Sequence, residues 1–439
     1  MLRNIRAGFS STDITPPVGV ELCGFGWHIN RKSTAVLEPL YAHAFAWQTE
    51  DVKGVIISCD LLGISKEITE QVRSLIQAEC QIPFDHILVS ATHSHSGPTT
   101  VDLIGWGEKD SDYLAGMPER IAQAAVAALA GMVDVTFEYG ETHVEGIAYN
   151  RVSHSKESPG GLSDHTLKLL KVVHEGKMIG FLSHYSVHPV VMCADTSFIC
   201  GDFIGIAINK LSSQYGVTGM FLQGSLGDQN SIYNFENQEQ SVKNVYELSA
   251  RFAGFVEEAI SSALPLEIDA IVMKRVSISL PLNVLERSMI LRNLEMVEHL
   301  YEDFDELPAK TQRRIRFERD VCKAVWDKYD EPEPAVLKTE LQALKLGNIL
   351  LIAHPTELFY AYHVEIEREL APYKTFIVGQ ANDSIGYIPT PDQYEVSQGA
   401  YSYPAWFTSF MYGQLPFVRN IGEVITKQMI ELGQSLVKS

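Results

Sequence analysis

The sequence predicts a mixed α/β fold in which parallel and antiparallel strands form sheets flanked by helices. Two observations indicate it: strand-like and helix-like segments alternate in the first third, and tight hairpin signals appear further along the chain. The 439 residues are 46% hydrophobic and 21% charged, a balance typical of a globular protein that buries a large core. The chain shows no internal repeat and no linker, so we expect one large domain.

The first third contains two strand–helix pairs. An apolar strand ending at an acidic residue is followed by a segment with helical spacing, and a second short strand is followed by an Ala-rich helix. These four predicted elements are, in order, Val52–Ser58, Lys66–Cys80, Ile87–Ala91 and Pro118–Met132. The order favours a parallel pair of strands.

Hairpin signals mark the rest of the chain. Two pairs of strands flank turn sequences, Glu175-Gly176-Lys177 in the first case and Gly347-Asn348 in the second. The strands are Leu167–His174 with Met178–His184, and Leu337–Leu346 with Ile349–Ala353. Met220–Gln223 is a further short strand, so we expect antiparallel pairs beside the parallel ones.

Charged amphipathic segments predict a helical insertion. Glu286–Phe304 and Ala309–Tyr329 read as a helical pair, and the prolines of Asp330–Pro334 end the second helix. Asn420–Leu436 predicts a final helix. We therefore predict a single domain over residues 1–439 with a helical insertion at about 284–336.

The composition excludes several classes of partner. The net charge of −20 disfavours nucleic acid and anionic lipid, and no apolar run is long enough for an integral membrane segment. The first residues lack the apolar core of a secretory signal. The six cysteines form no CxxC pair, and Cys59, Cys193 and Cys200 lie in apolar surroundings, so we expect reduced thiols and a cytoplasmic location.

No HExxH, GxSxG, P-loop or dinucleotide-binding motif is present, so the candidates for chemistry are polar residues at strand ends. His93 and His95 form an HxH pair just after a predicted strand, where alternate side chains point the same way. Imidazoles that converge from one side suit a metal ion. The alternative is a pair of loop histidines that bond to the backbone.

Four further candidates for chemistry follow other predicted strands or lie in loops, one of which is constrained by glycine and proline. His188 ends an apolar strand, while His184 before it is better explained as a core histidine. Glu357 follows a buried strand and a proline, where a carboxylate is costly unless it is paired or bound to metal. Its alternative is a solvated loop residue. Tyr387 is a metal-ligand candidate or a packing tyrosine, and Arg151 is an anion clamp or a surface ion-pair residue.

Three aspartates also follow short apolar segments. Asp60, Asp202 and Asp228 are candidates for the acceptors that orient metal-binding histidines. Asp202 and Asp228 lie beside glycines, so turn formation is an equally good explanation for them.

The chain resembles the neutral/alkaline non-lysosomal ceramidases, a family of zinc-dependent amidases, over residues 7 to about 396. The similar segments occur in the family's order, which makes the set specific although each is weak alone. They are Ala7–Pro17, Ser58–Leu62, Ala91–Pro98, Tyr149–Arg151, Val187-His188, Gly201-Asp202, Gln223–Asp228, the Pro-x-Glu at Glu357, Gly386-Tyr387, Thr390-Pro391 and Tyr394.

The resemblance implies a role for each candidate. The zinc ligands would be His93, His188, Glu357 and Tyr387. His95 would act on the zinc-bound water or the leaving group, and Arg151 would contact the substrate. A family tyrosine that helps to hold the substrate carbonyl is Gly399 here, with Tyr401 and Tyr403 as possible replacements, and we take Tyr401 as the catalytic candidate. The residue after Gln223, usually serine or threonine, is Gly224.

The resulting hypothesis is a zinc-dependent hydrolase that cleaves an amide (N-acyl) bond of a small molecule or a lipid by attack of zinc-bound water. The alternatives are a zinc esterase or lactamase with the same centre, and a non-catalytic binding protein that keeps the fold. Because the chain shows neither a signal nor the additional C-terminal domain of secreted ceramidases, we expect soluble amides to be preferred to ceramide. We expect no nucleic-acid partner, and the sequence leaves both a monomer and a homo-oligomer open.

Overall fold

Three sheets organise the chain in the computed structural model, which describes residues 5–26, 31–284, 295, 304–328, 336–395 and 402–438. Each sheet contains one parallel pair of strands, and a helix connects the two strands of each pair. The fold class predicted from the sequence, mixed sheets flanked by helices, is confirmed.

The first sheet has five strands, of which the predicted pair is parallel. Across the sheet they are Ile87–Ala91, Lys53–Cys59, Tyr41–Gln48, Arg6–Asp13 and Val133–Asp134. Its outer face packs on the helices Lys66–Cys80 and Ser111–Ala130. The second helix begins before the predicted Pro118, because Oδ1 of Asp110 accepts a hydrogen bond from the backbone N–H of Tyr113 at 2.8 Å and caps the helix there.

The second sheet also has five strands. They are Thr218–Gln223, Lys177–Tyr185, Thr166–His174, Thr136–His143 and Leu264–Leu266. The predicted hairpin is confirmed, and both turn residues, Glu175 and Gly176, have positive φ, which matches the twist of the strands. The helices Asp202–Tyr215 and Gln238–Ser262 cover its outer face.

The third sheet has four strands and includes the second predicted hairpin. The strands are Ile271–Pro281, Val336–Leu346, Ile349–Ala353 and Lys374–Val378. The helices Tyr360–Leu370 and Ile421–Val437 pack on it, and the second of these is the predicted final helix.

The inner faces of the three sheets meet in one apolar core. Phe45 and Leu88 come from the first sheet, Leu182 from the second, and Leu351 and Phe376 from the third. Because the sheets pack against one another in this way, the loops that follow the parallel strands can reach a common site. Shorter pairs complete the structure there: Ala35–Val36 with Phe198–Ile199, Ala148–Asn150 with Gln229–Ser231, and Glu357–Leu358 with Tyr387–Ile388.

Most of the first predicted helix of the insertion, Glu286–Phe304, lies outside the described residues. The second is a helix over Ala309–Lys328, where Phe317, Val321 and Val325 pack in the same cluster as Trp106. The insertion at about 284–336 therefore stays a prediction. The remaining short helices are Phe84–His86, Phe304–Glu306, Pro391–Tyr394, the π-helical turn Tyr403–Phe407, and Thr408–Met411. Among the helices described, none has the length and apolar character of a membrane span.

A buried arginine joins the first layer to the third. Arg73, 1% exposed, donates to the backbone carbonyl of Ile87 at 3.0 Å and to the Glu340 carboxylate at 2.7 Å. The other oxygen of Glu340 accepts from the partly exposed Arg275 at 2.8 Å. A buried ion pair of this kind is costly to break from one side, since the remaining charge keeps little solvation.

We expect Arg73→Met to lower the free energy of unfolding by about 3 kcal/mol, because it removes the buried partner of Glu340. Arg275→Met is the matched control: it removes a more exposed partner of the same carboxylate and should cost less than about 1 kcal/mol. Urea unfolding of the purified variants measures both. Equal losses would contradict the asymmetry between the two ion pairs.

Candidate active site

Three buried histidines converge where two of the sheets present the ends of their parallel strands. His93 and His95 follow the strand Ile87–Ala91, and His188 follows Lys177–Tyr185. All three are at most 5% exposed. One ring nitrogen of each lies within 4.8 Å of those of the other two. His93 has φ of +67°, in the left-handed region that few residues other than glycine adopt.

Backbone carbonyls orient the three rings. Each Nδ1 lies at hydrogen-bond distance from a carbonyl oxygen, and a carbonyl can only accept, so each Nδ1 carries the proton. The acceptors are Leu62 for His93 at 2.7 Å, Gly24 for His95 at 2.6 Å, and Leu226 for His188 at 2.7 Å. Each neutral ring then presents an unprotonated Nε2 to the centre.

Glu357 and Tyr387 reach the same centre from the third layer. They are directly paired in the short parallel ladder Glu357–Leu358 with Tyr387–Ile388. Oε2 of Glu357 lies 3.0 Å from Nε2 of His188 and 3.6 Å from Nε2 of His93. The Tyr387 hydroxyl is 3.2 Å from Nε2 of His188 and also bonds to Glu357.

Arg151 closes one side of this group. Its Nη2 donates to the Tyr387 hydroxyl and to the carbonyl of Gly227, both at 2.8 Å. Nη1 donates to Oδ1 of Asn230 at 3.4 Å, and the guanidinium lies 5.4 Å from the centre of the Tyr387 ring. The side chain is thus fixed beside the buried acid and phenol.

Burial dominates the protonation of the centre. Loss of solvation lowers the pKa of His93 to about 4 and holds the pKa values of His95 and His188 well below the usual range. The same burial raises the pKa of Glu357 and holds the pKa of Tyr387 well above its ordinary value. Near neutral pH the three rings are therefore uncharged.

The donor set fits a metal ion. Uncharged imidazoles turn lone pairs towards one another and towards a carboxylate, an arrangement that a cation stabilises. Nε2 of His95 is buried and has no hydrogen-bond partner in the part of the chain that the structure describes. The His93, His95 and His188 cluster could thus bind a metal, with imidazole and oxygen donors of the kinds that zinc accepts.

The prediction that aspartates orient the histidines is wrong, since backbone carbonyls occupy that role. Asp60 instead accepts from the backbone N–H of Tyr41 at 3.0 Å, and Asp202 from that of Met192 at 2.9 Å. Asp228 accepts from the backbone N–H of Tyr360 at 2.9 Å. These carboxylates fix loops next to the site.

His184 is the core histidine that the sequence suggested. It is fully buried, its Nε2 lies 3.0 Å from the carbonyl oxygen of Ile377, and its ring packs near Phe376. Its contact joins the second sheet to the third.

A cavity of about 360 Å³ opens beside the centre. Its lining includes His95, Arg151, His188 and Tyr387, together with aromatic and apolar residues: Phe25, Trp106, Val190, Phe235, Tyr403 and Met411. Tyr401, the predicted catalytic tyrosine, lies outside the described residues. Tyr403 lines the cavity with its ring 5.8 Å from that of Tyr387, whereas Trp406 of the same stretch packs in the core.

The sequence analysis missed the loop that contains Gly24 and Phe25. Gly24 supplies the carbonyl for His95, and the Phe25 ring lies 5.1 Å from the His95 ring. The available signal was the pair of glycines around one aromatic residue, Gly24-Phe25-Gly26, which marks a place where the backbone passes close to other groups.

A family model for the N-terminal region of neutral/alkaline non-lysosomal ceramidases matches residues 5–225, half of the chain. The chain belongs to this family. Membership supports a hydrolase that acts on amide carbon–nitrogen bonds.

Two solved structures share the fold. The neutral ceramidase from Pseudomonas aeruginosa is 18% identical, with a TM-score of 0.74 over 99% of this chain and 74% of that chain. A structure described as ceramidase complexed with C2 is 17% identical, with a TM-score of 0.74 over 99% of this chain and 75% of that one. At this level of identity the likeness establishes the architecture.

We expect Gly24→Ala to displace His95, because the new Cβ would lie 2.6 Å from the Cβ of His95 at a residue with φ of +125°. A displacement of His95 by about 1 Å, enough to relieve this contact, should lower the hydrolysis rate about 100-fold. Gly19→Ala is the matched control, since Gly19 has φ of +109° and nothing within 4 Å of the added atom. Rates and melting temperatures of both variants should be compared, and similar rate losses would contradict this role of Gly24.

Proposed function

We propose that this chain is a zinc-dependent hydrolase that cleaves the amide bond of an N-acyl compound. The observation that carries the proposal is the buried group of three uncharged imidazoles, two of which, His93 and His188, place Nε2 beside the Glu357 carboxylate. We assign His93, His188, Glu357 and Tyr387 as the residues that would hold the metal. When bound, zinc supplies an activated water and polarises the carbonyl of the substrate.

His95 is proposed to move the proton to the leaving nitrogen. Its Nδ1 is held by the carbonyl of Gly24, so only Nε2 is available for proton transfer. That nitrogen is buried and has no partner within the described ranges, and His95 is one of the residues that line the cavity. A neutral ring with one free nitrogen is the form that accepts a proton and then donates it.

Arg151 is proposed to stabilise negative charge on the substrate oxygen. Its guanidinium lines the cavity and is held by Gly227 and Asn230, so it would not need to reorganise during the reaction. Tyr403 lies on the same side, near Tyr387, and is our candidate for the role of the family tyrosine that is Gly399 here. Tyr401 remains the other candidate.

All six cysteines are free thiols, which supports a reducing compartment and the proposal of a cytoplasmic location. The aromatic lining of the cavity supports an apolar or ring-containing group beside the scissile bond. The substrate is therefore proposed to be a small-molecule or lipid amide.

The metal assignment predicts about one zinc per chain. His93→Ala and His188→Ala should each lose metal and activity together, because each removes a ligand. His95→Ala should keep the metal and lose about 100-fold or more in kcat, because it removes only the proton transfer. Elemental analysis and rates on a panel of amides, esters and lactams provide the measurement.

Three results would count against parts of this assignment. Equal metal loss in all three variants would make His95 a ligand. Turnover of esters or lactams but not amides would favour the alternative hydrolases. Bound zinc without turnover of any compound would favour a binding protein.

We expect soluble short N-acyl amides to exceed long-chain ceramide by about tenfold or more in kcat/KM, equivalent to about 1.4 kcal/mol. The physical reason is the small cavity, about 360 Å³, in a protein with a net charge of −20 that is poorly suited to anionic bilayers. The measurement compares ceramide in detergent with short N-acyl compounds at equal zinc. A clear preference for long-chain ceramide would overturn this expectation.

A further inference from the structure

Arg31 is a buried cation beside the candidate site. It is 9% exposed, and in the described ranges its guanidinium bonds to backbone carbonyls and not to a carboxylate. Burial lowers its pKa to about 10, which leaves it protonated at neutral pH. A guanidinium removed from water without a carboxylate partner is expensive, so its retention calls for a physical explanation.

The donors of Arg31 reach three carbonyls from three distant segments. Nη2 donates to the carbonyl of Cys23 at 3.0 Å and to that of His95, and Nη1 donates to the carbonyl of Cys193 at 3.3 Å. Cys193 lines the cavity, as does Gly24, the neighbour of Cys23. One planar group thus ties together the parts of the chain that surround His95.

Arg31 also contacts Phe25, whose ring packs near the imidazole ring of His95. Its guanidinium lies 5.0 Å from the centre of the Phe25 ring, which in turn lies 5.1 Å from the His95 ring. Between Cys23 and Phe25, Gly24 provides the acceptor for Nδ1 of His95. Arg31 therefore bonds the backbone of His95 directly, and it contacts Cys23 and Phe25, the two neighbours of the glycine that holds the His95 ring nitrogen.

We propose that Arg31 is a positioning residue that sets the tautomer and the direction of His95. It does not line the cavity, so it acts through His95 and not on the substrate. An apolar side chain could fill the same space with a smaller desolvation cost, but it could not bring three carbonyls to one point. The effect on rate rests on the function proposed above, whereas the effect on the His95 ring does not.

The experiment compares Arg31→Met and Arg31→Lys with the wild type, each labelled with ¹⁵N and free of metal. Proton–nitrogen correlation spectra of the imidazoles report which ring nitrogen is protonated. In Arg31→Met we expect His95 to lose its single Nδ1–H form while His93 and His188 keep theirs. Arg31→Lys keeps a charge but has no planar fork, so His95 should show the same change to a smaller degree.

The second measurement compares the steady-state kinetics of the zinc-loaded proteins. For Arg31→Met we expect unchanged zinc content, kcat lowered about 100-fold by misplacement of His95, and KM within about threefold of the wild type. Arg73→Met is the control, because Arg73 is another buried arginine that donates to a backbone carbonyl, in a different part of the fold. It should lower the melting temperature without changing the His95 signal or kcat.

The inference is overturned if Arg31→Met keeps the His95 signal of the wild type, or if all three histidines change equally. If Arg31→Met does not fold, the spectrum of Arg31→Lys decides: a change at His95 alone supports the proposal, and an unchanged spectrum overturns it. If even the wild type turns over no amide, the proposed function fails, while the spectra still decide the role of Arg31.

Discussion

The site depends on hydrogen bonds between three imidazole Nδ1 atoms and three backbone carbonyls. A carbonyl has no proton to give, so each bond fixes one tautomer and leaves an Nε2 lone pair facing the centre. Burial then keeps the rings uncharged, which the lowered pKa values of His93, His95 and His188 express. Orientation and protonation state are thus set before any ligand arrives.

The three-layer architecture explains how these groups come together. Each sheet places the ends of a parallel pair near the common core, and the loops that follow contain His93, His188 and Glu357, one from each layer. Contacts between layers, such as that of Arg73 with Glu340, join the sheets at the end of the strand Ile87–Ala91 that is remote from His93. These contacts stabilise the layers, whereas the hydrogen bonds to the imidazoles set the geometry of the centre.

Hydrophobic patterning and turn sequences were sufficient to predict the helix Lys66–Cys80 and the strand Ile87–Ala91, because local spacing determines both. The candidate residues were found because histidine, glutamate and tyrosine at strand ends are chemically conspicuous. The hydrogen-bond acceptors of the histidines, such as the carbonyls of Leu62 and Leu226, were not found from the sequence. Every residue has a backbone carbonyl, so these two do not stand out. Tertiary packing decides which carbonyl meets which ring, and at Leu62 and Leu226 no side-chain pattern marks the acceptor.

Tyr387 and Arg151 form a hydrogen-bonded pair within this buried centre. Desolvation holds the pKa of the phenol well above its ordinary value, while the positive charge of Arg151 acts to lower it. Arg151 is held in that position because the Gly227 carbonyl accepts from the same Nη2 and Oδ1 of Asn230 accepts from Nη1. Asp228, between them in the sequence, accepts from the backbone N–H of Tyr360. A phenol serves as an oxygen donor to a cation more readily as its proton is lost. The role of metal ligand that we propose for Tyr387 is therefore coupled to the loop that fixes Arg151.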